Sequence, residues 1–114
     1  MNVNVQFREE ENILYGMIEG EIDTFTAPAL REELEAITIK EKATVELDLS
    51  KVTFMDSTGL GVIIAFYKKV LRENANLKLV HLSARLTRLF EITGLSELMD
   101  IESTKKVEPA NECI

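Results

Sequence analysis

A chain of 114 residues is close to the commonest size for one domain and leaves little room for a two-domain enzyme. Its 46% hydrophobic and 29% charged residues suit a folded chain, and 13 Lys and Arg against 20 Asp and Glu give a charge of −7 that argues against a nucleic-acid or anionic-membrane binder. One cysteine, Cys113, and one histidine, His81, exclude a disulfide framework and a Cys/His metal cluster, and confine any Ser-His or Cys-His catalysis to His81.

From the N-terminus, Val3, Val5 and Phe7 alternate with polar residues, and a second alternation runs through Ile13, Tyr15 and Met17, which predicts two strands joined as a hairpin. Thr26 stands where an N-cap belongs, before Ala27-Pro28 and the helical spacing Leu30, Leu34, Ile37. Thr44 to Leu49 reads as a strand, and a long helix is expected from Ser57 to about Glu73, ended by Asn74 and Asn76. Leu77 to Leu82 is apolar enough for a strand buried on both faces. Ser83 can cap a helix bearing Leu86, Leu89 and Phe90, with Gly94 at its C-terminal turn. A last short strand is expected over Leu98 to Ile101, and the tail from Glu102 onward reads as frayed. The order implies an α/β domain with right-handed crossovers onto a largely parallel sheet of about five strands and an antiparallel N-terminal hairpin, flanked by three to four helices. No leader or membrane-spanning run is visible, so a cytoplasmic location with no membrane partner is expected.

The segment from Val52 to Gly61 places Asp56, Ser57 and Thr58 between a parallel strand and a helix, at the edge where open α/β sheets build their sites. A helix cap explains Asp56 or Ser57, but not Gly59 and Gly61, since each glycine in a first turn costs about 1 kcal/mol against alanine. Their presence suggests close approach by something. They do not begin a dinucleotide fingerprint, because the third glycine would fall at Ile64, and no lysine follows as a phosphate loop requires. No cofactor and no metal are expected. Along the helix, Leu60, Ile63, Ile64, Tyr67 and Leu71 form one stripe, read as core, with Val62 and Phe66 off it. Two placements suit that pair, beneath a neighbouring helix or exposed as an apolar anchor for a partner, and exposure beside Ser57 is the expectation taken forward. A phosphate on Ser57 would add roughly −1.5 to −2 charges at a helix N-terminus able to hold it.

Asp56-Ser57-Thr58-Gly59-Leu60-Gly61, the upstream Gly20-Glu21-Ile22-Asp23, the Leu47-Asp48-Leu49 strand and Arg88-Leu89-Phe90-Glu91-Ile92-Thr93-Gly94-Leu95 resemble the STAS-domain anti-sigma factor antagonists of Gram-positive bacteria, the general-stress antagonists above all. The resemblance covers residues 1–102 and leaves 103–114 as a tail. It implies a non-enzymatic, partner-switching regulator of stress transcription. Unphosphorylated, such a protein binds an anti-sigma factor that is also a serine/threonine kinase and frees the sigma factor. The kinase phosphorylates the antagonist, a PP2C-type phosphatase reverses this, and ATP belongs to the kinase. The acceptor maps onto Ser57, with Thr58 as the competing hydroxyl. The contact surface joins Asp56, Thr58, Gly59 and Gly61 to the loop Asp23-Thr24-Phe25-Thr26, with Asp23 and Thr24 as its contact residues. Asp23 is open between a contact or orienting role and a simple turn carboxylate, and Asp56 between orienting the hydroxyl and capping the helix. A small-molecule-binding or sensor STAS module using Asp23, Asp56 and Ser57 is the alternative reading. His81 is read as structural and Cys113 as incidental.

Overall fold

The computed structural model describes residues 2–103. Across them the order is β1 (Val3–Glu10), β2 (Ile13–Ile22), α1 (Ala27–Ala36), β3 (Thr44–Met55), α2 (Ser57–Arg72), β4 (Asn76–Leu82), α3 (Ala84–Ile92), a 3-10 turn (Leu95–Glu97) and β5 (Asp100–Ser103). The strands form one sheet in the order β1-β2-β3-β4-β5. β1 pairs antiparallel with β2, and every later pairing is parallel. The expected fold is therefore present, with β3 running on to Met55 and α2 starting two residues later.

Each crossover moves one strand in the same direction, so right-handed connections stack the helices on a single face. The burial pattern agrees: Val45, Leu47 and Leu49 are buried, while Thr44, Glu46 and Asp48 between them are half-exposed. The expectation of a β4 covered on both faces holds only at its middle: Leu77, Leu79 and Leu82 enter the core and Val80 is buried opposite Leu79, whereas Lys78 is half-buried and His81 exposed. Gly94 takes φ +80 after α3, as its place in the C-terminal turn demands, and Ser83 caps α3 by accepting the Leu86 N–H at 3.1 Å.

The last strand lies two residues later than expected, with the 3-10 turn before it, so Glu102 and Ser103 belong to β5. The rest of the expected tail, Cys113 included, lies outside the described residues. No helix among the described residues is long and apolar enough to cross a membrane.

Candidate functional site

β2 and β3 run parallel and end side by side, with Ile22 matched to Met55. The loops that follow them therefore meet at the C-terminal edge of the sheet, and each opens a helix. Asp56 has extended backbone and its carboxylate accepts the Gly59 N–H at 3.0 Å, so it is the N-cap of α2. At α1 the expected cap, Thr26, is not one: it is buried, has helical backbone, and makes no side-chain cap bond. Asp23 does that work three residues earlier. Its Oδ1 accepts the N–H groups of Phe25 at 2.9 Å and Thr26 at 3.0 Å, and its carbonyl accepts the Ala27 N–H at 2.8 Å. Thr26 Oγ1 instead accepts the Asp23 N–H at 2.9 Å and donates to the Glu21 carbonyl at 2.7 Å, which ties the loop shut.

Two Asp-capped helix N-termini thus stand together, linked by a 3.5 Å contact between the hydroxyls of Thr24 and Thr58. Both carboxylates hold backbone N–H groups at the two turns, as the simpler readings of Asp23 and Asp56 had it. Ser57 is exposed at the first helical position of α2, and its hydroxyl has no hydrogen-bond partner among the described residues. Thr58 is exposed as well, but its hydroxyl faces Thr24.

The glycines divide. A Cβ on Gly59 would lie 2.7 Å from Ile22 Cγ2, 2.8 Å from Met55 Cγ and 2.9 Å from the Ile22 carbonyl oxygen, so the close approach there is made by the chain's own strands. At Gly61 a Cβ would meet nothing within 4 Å, which leaves open space in the second turn beside Ser57.

Val62 and Phe66 are corrected outright: both are 2% exposed. They line the seam between α1 and α2 with Leu34, because α2 is covered by the sheet on one side and by α1 on another. The buried arc centres on Ile63, Phe66 and Val70, and Leu71, expected in the core, is exposed. The apolar side chain that does stand beside the motif is Phe25, 80% exposed on the loop that carries Thr24. A lone aromatic in a loop has no period, so the sequence marked it only as a member of the Asp23-Thr24-Phe25-Thr26 loop and not as an apolar anchor.

His81 has φ +60 at a bulge in β4, and its Nδ1 lies 3.1 Å from Asp48 Oδ2 on the open face of the sheet. Burial pushes the Asp48 carboxyl up, but the N–H and hydroxyl of Ser50 and the imidazole of His81 together hold it below its ordinary value. Among the described residues no group of three His, Cys, Asp or Glu side chains is arranged to hold a metal ion.

The STAS domain pattern matches residues 4–107. The chain belongs to the STAS-domain family. An anti-sigma-B factor antagonist of Bacillus subtilis is 45% identical over 103 residues, covering 90% of this chain and 94% of that protein. One from Listeria monocytogenes is 41% identical over 106 residues, covering 92% and 93%. Among solved structures, an anti-sigma factor antagonist from Mycobacterium paratuberculosis superposes on this STAS domain with a TM-score of 0.78 at 27% identity, covering 90% of this chain and 86% of that one.

Proposed function

We propose that this STAS domain is an anti-sigma factor antagonist that works by partner switching, with Ser57 as its phosphorylated residue. The observation that carries the reading is an exposed, unpartnered hydroxyl at the first position of a helix already capped by another side chain. A phosphate can be added or removed there without breaking a bond that holds the fold. The similarity to proteins named anti-sigma-B factor antagonists, over nearly their whole length, supplies the partner class. The unphosphorylated protein docks an anti-sigma factor with serine kinase activity through the Ser57 turn and the Thr24-Phe25 loop, and so frees the sigma factor. ATP is bound by the kinase, and a PP2C-type phosphatase resets the switch.

Phosphorylation blocks docking locally. The dianion sits at the positive end of α2, which favours it, so the backbone stays in place. A partner that packed against a neutral hydroxyl then meets charge and bulk. An interface penalty of about 3 kcal/mol weakens binding roughly a hundredfold, enough to return the kinase to its sigma factor.

The test is incubation with ATP and the cognate kinase, followed by intact mass and phosphopeptide mapping. One phosphate at Ser57, absent from Ser57→Ala, is expected. Modification at Thr58, Thr24 or Thr26 would overturn the assignment. In titrations against the kinase, Ser57→Asp should lose binding with an unchanged amide NMR spectrum, while Ser57→Ala binds constitutively. If Ser57→Asp binds as tightly as the unaltered protein, or if its spectrum collapses, the local block is wrong.

A further inference from the structure

β3 outruns its neighbour. Asp48 is its last residue matched to β4, at Val80, whereas Lys51, Val52, Phe54 and Met55 keep partners on β2. The cause lies in β4, where the His81 bulge turns the chain and Ser83 at once caps α3. Beyond Asp48, β3 therefore has a strand on one side only among the described residues, and its residues 52–55 face α3 across a cleft of about 310 Å³. The cleft is apolar along Phe54, Leu86, Leu89 and Ile92, the last 75% exposed. In a chain with 20 Asp and Glu, no carboxylate lines it. Its charged groups are the exposed Arg85 and Arg88, and neither is in an ion pair among the described residues.

We propose that this cleft docks an extended, acidic segment of another protein, taken up as an added strand beside residues 52–55. A bare strand edge supplies main-chain hydrogen bonds to an extended peptide, and alternate side chains of that peptide then point the same way. Here the set that points toward α3 carries both apolar side chains, which meet Leu89 and Ile92, and carboxylates, which meet the guanidinium groups of Arg85 and Arg88 on the same helix. A second copy of the chain is a poor occupant, since each copy carries −7. The cleft ends at Met55, next to the Ser57 turn, but none of Asp56, Ser57 and Thr58 lines it, and peptide binding to it requires no kinase.

The experiment is an amide NMR titration of the labelled protein with the acetylated, amidated heptapeptide Val-Thr-Asp-Thr-Val-Thr-Asp, whose odd-numbered side chains, two apolar and two acidic, share one face. Saturable shifts confined to residues 52–55 and 83–92 are expected, with slowed amide exchange within 50–55. The double substitution R85E/R88E should weaken the peptide about tenfold, as loss of two exposed charge pairs implies, and Ile92→Ser should weaken it as well. Both sites are exposed, so the spectra of the variants should otherwise match the unaltered protein. The proposal is overturned if the shifts fall elsewhere or are absent. It is equally overturned if a lysine counterpart of the peptide binds as well, if R85E/R88E changes nothing, or if sedimentation shows self-association that protects these same amides.

Discussion

Gly59 and Gly61 share one turn of α2 and meet opposite surroundings. Alanine at Gly59 drives a methyl group into the Ile22 carbonyl oxygen, a backbone atom that cannot swing aside, as well as into two core side chains. Overpacking of this kind costs about 1–3 kcal/mol, more than the roughly 1 kcal/mol that alanine gains in helix propensity. Gly59→Ala should therefore destabilise the fold in urea titrations. Gly61→Ala faces open space and should hold or slightly raise stability, so any loss of kinase binding in that variant reports a partner's approach. Phe25→Ala belongs with it: an 80% exposed ring contributes little to the core, so its removal should leave the melting temperature nearly unchanged. If the ring is an interface anchor, the same substitution weakens the kinase complex by about 1–2 kcal/mol, and unchanged affinity in a calorimetric titration would remove Phe25 from the interface.

At the scale of elements, α2 shows what periodicity can and cannot deliver. Its existence and both ends were readable, because Asp56 caps it and Asn74, with φ +58, turns the chain after it. Which arc is buried was not, since a helix wedged between a sheet and a second helix presents two covered faces and the strongest apolar stripe need not bisect them. Phe66→Ala should accordingly cost about 3–5 kcal/mol, the usual loss for a buried aromatic, and a small change in stability would contradict its burial. A second determinant of this helix pair is invisible to any local pattern. The Lys69 ammonium donates to the carbonyls of Leu34 at 3.1 Å, Glu35 at 2.6 Å and Ile37 at 2.7 Å, residues more than thirty positions away. It closes the C-terminus of α1, where the glycine that often does so is missing and the backbone turns extended at Ile37. Burial pushes the Lys69 pKa down, with the carboxylates of Glu73 and Glu35 opposing this, yet three acceptors require all three N–H donors of the charged form. Lys69→Met keeps the stem and removes the donors, and should cost about 1–2 kcal/mol by chemical denaturation with α1 amides exchanging faster.

At the scale of the whole molecule, strand and helix order followed from alternation and helical spacing, and the Asp-Ser-Thr-Gly turn fell at the sheet edge where that order puts it. The open face of the sheet did not announce itself, because β4 is apolar at both Leu79 and Val80 and its polar side is completed by a histidine held in a bulge. There the Asp48–His81 contact joins β3 to β4 at the level where their ladder stops, 33 residues apart in sequence. Since the folded protein holds the Asp48 carboxyl below its ordinary value, the folded state binds fewer protons than the unfolded state as the pH falls through the carboxylate range. The resulting stabilisation is fully present above the ordinary carboxylate range and is lost as the pH drops below that range through the lower folded-state value. Asp48→Asn should then be less stable than the unaltered protein at about pH 7, with the gap closing as the pH falls below the ordinary carboxylate range and the Asp48 carboxyl takes up its proton. Comparing the two proteins by urea denaturation across that range subtracts the other carboxylates. A gap that stays constant into acid would show that Asp48 acts through packing and its hydrogen bond to the Ser50 N–H, and that its charge does not join the two strands.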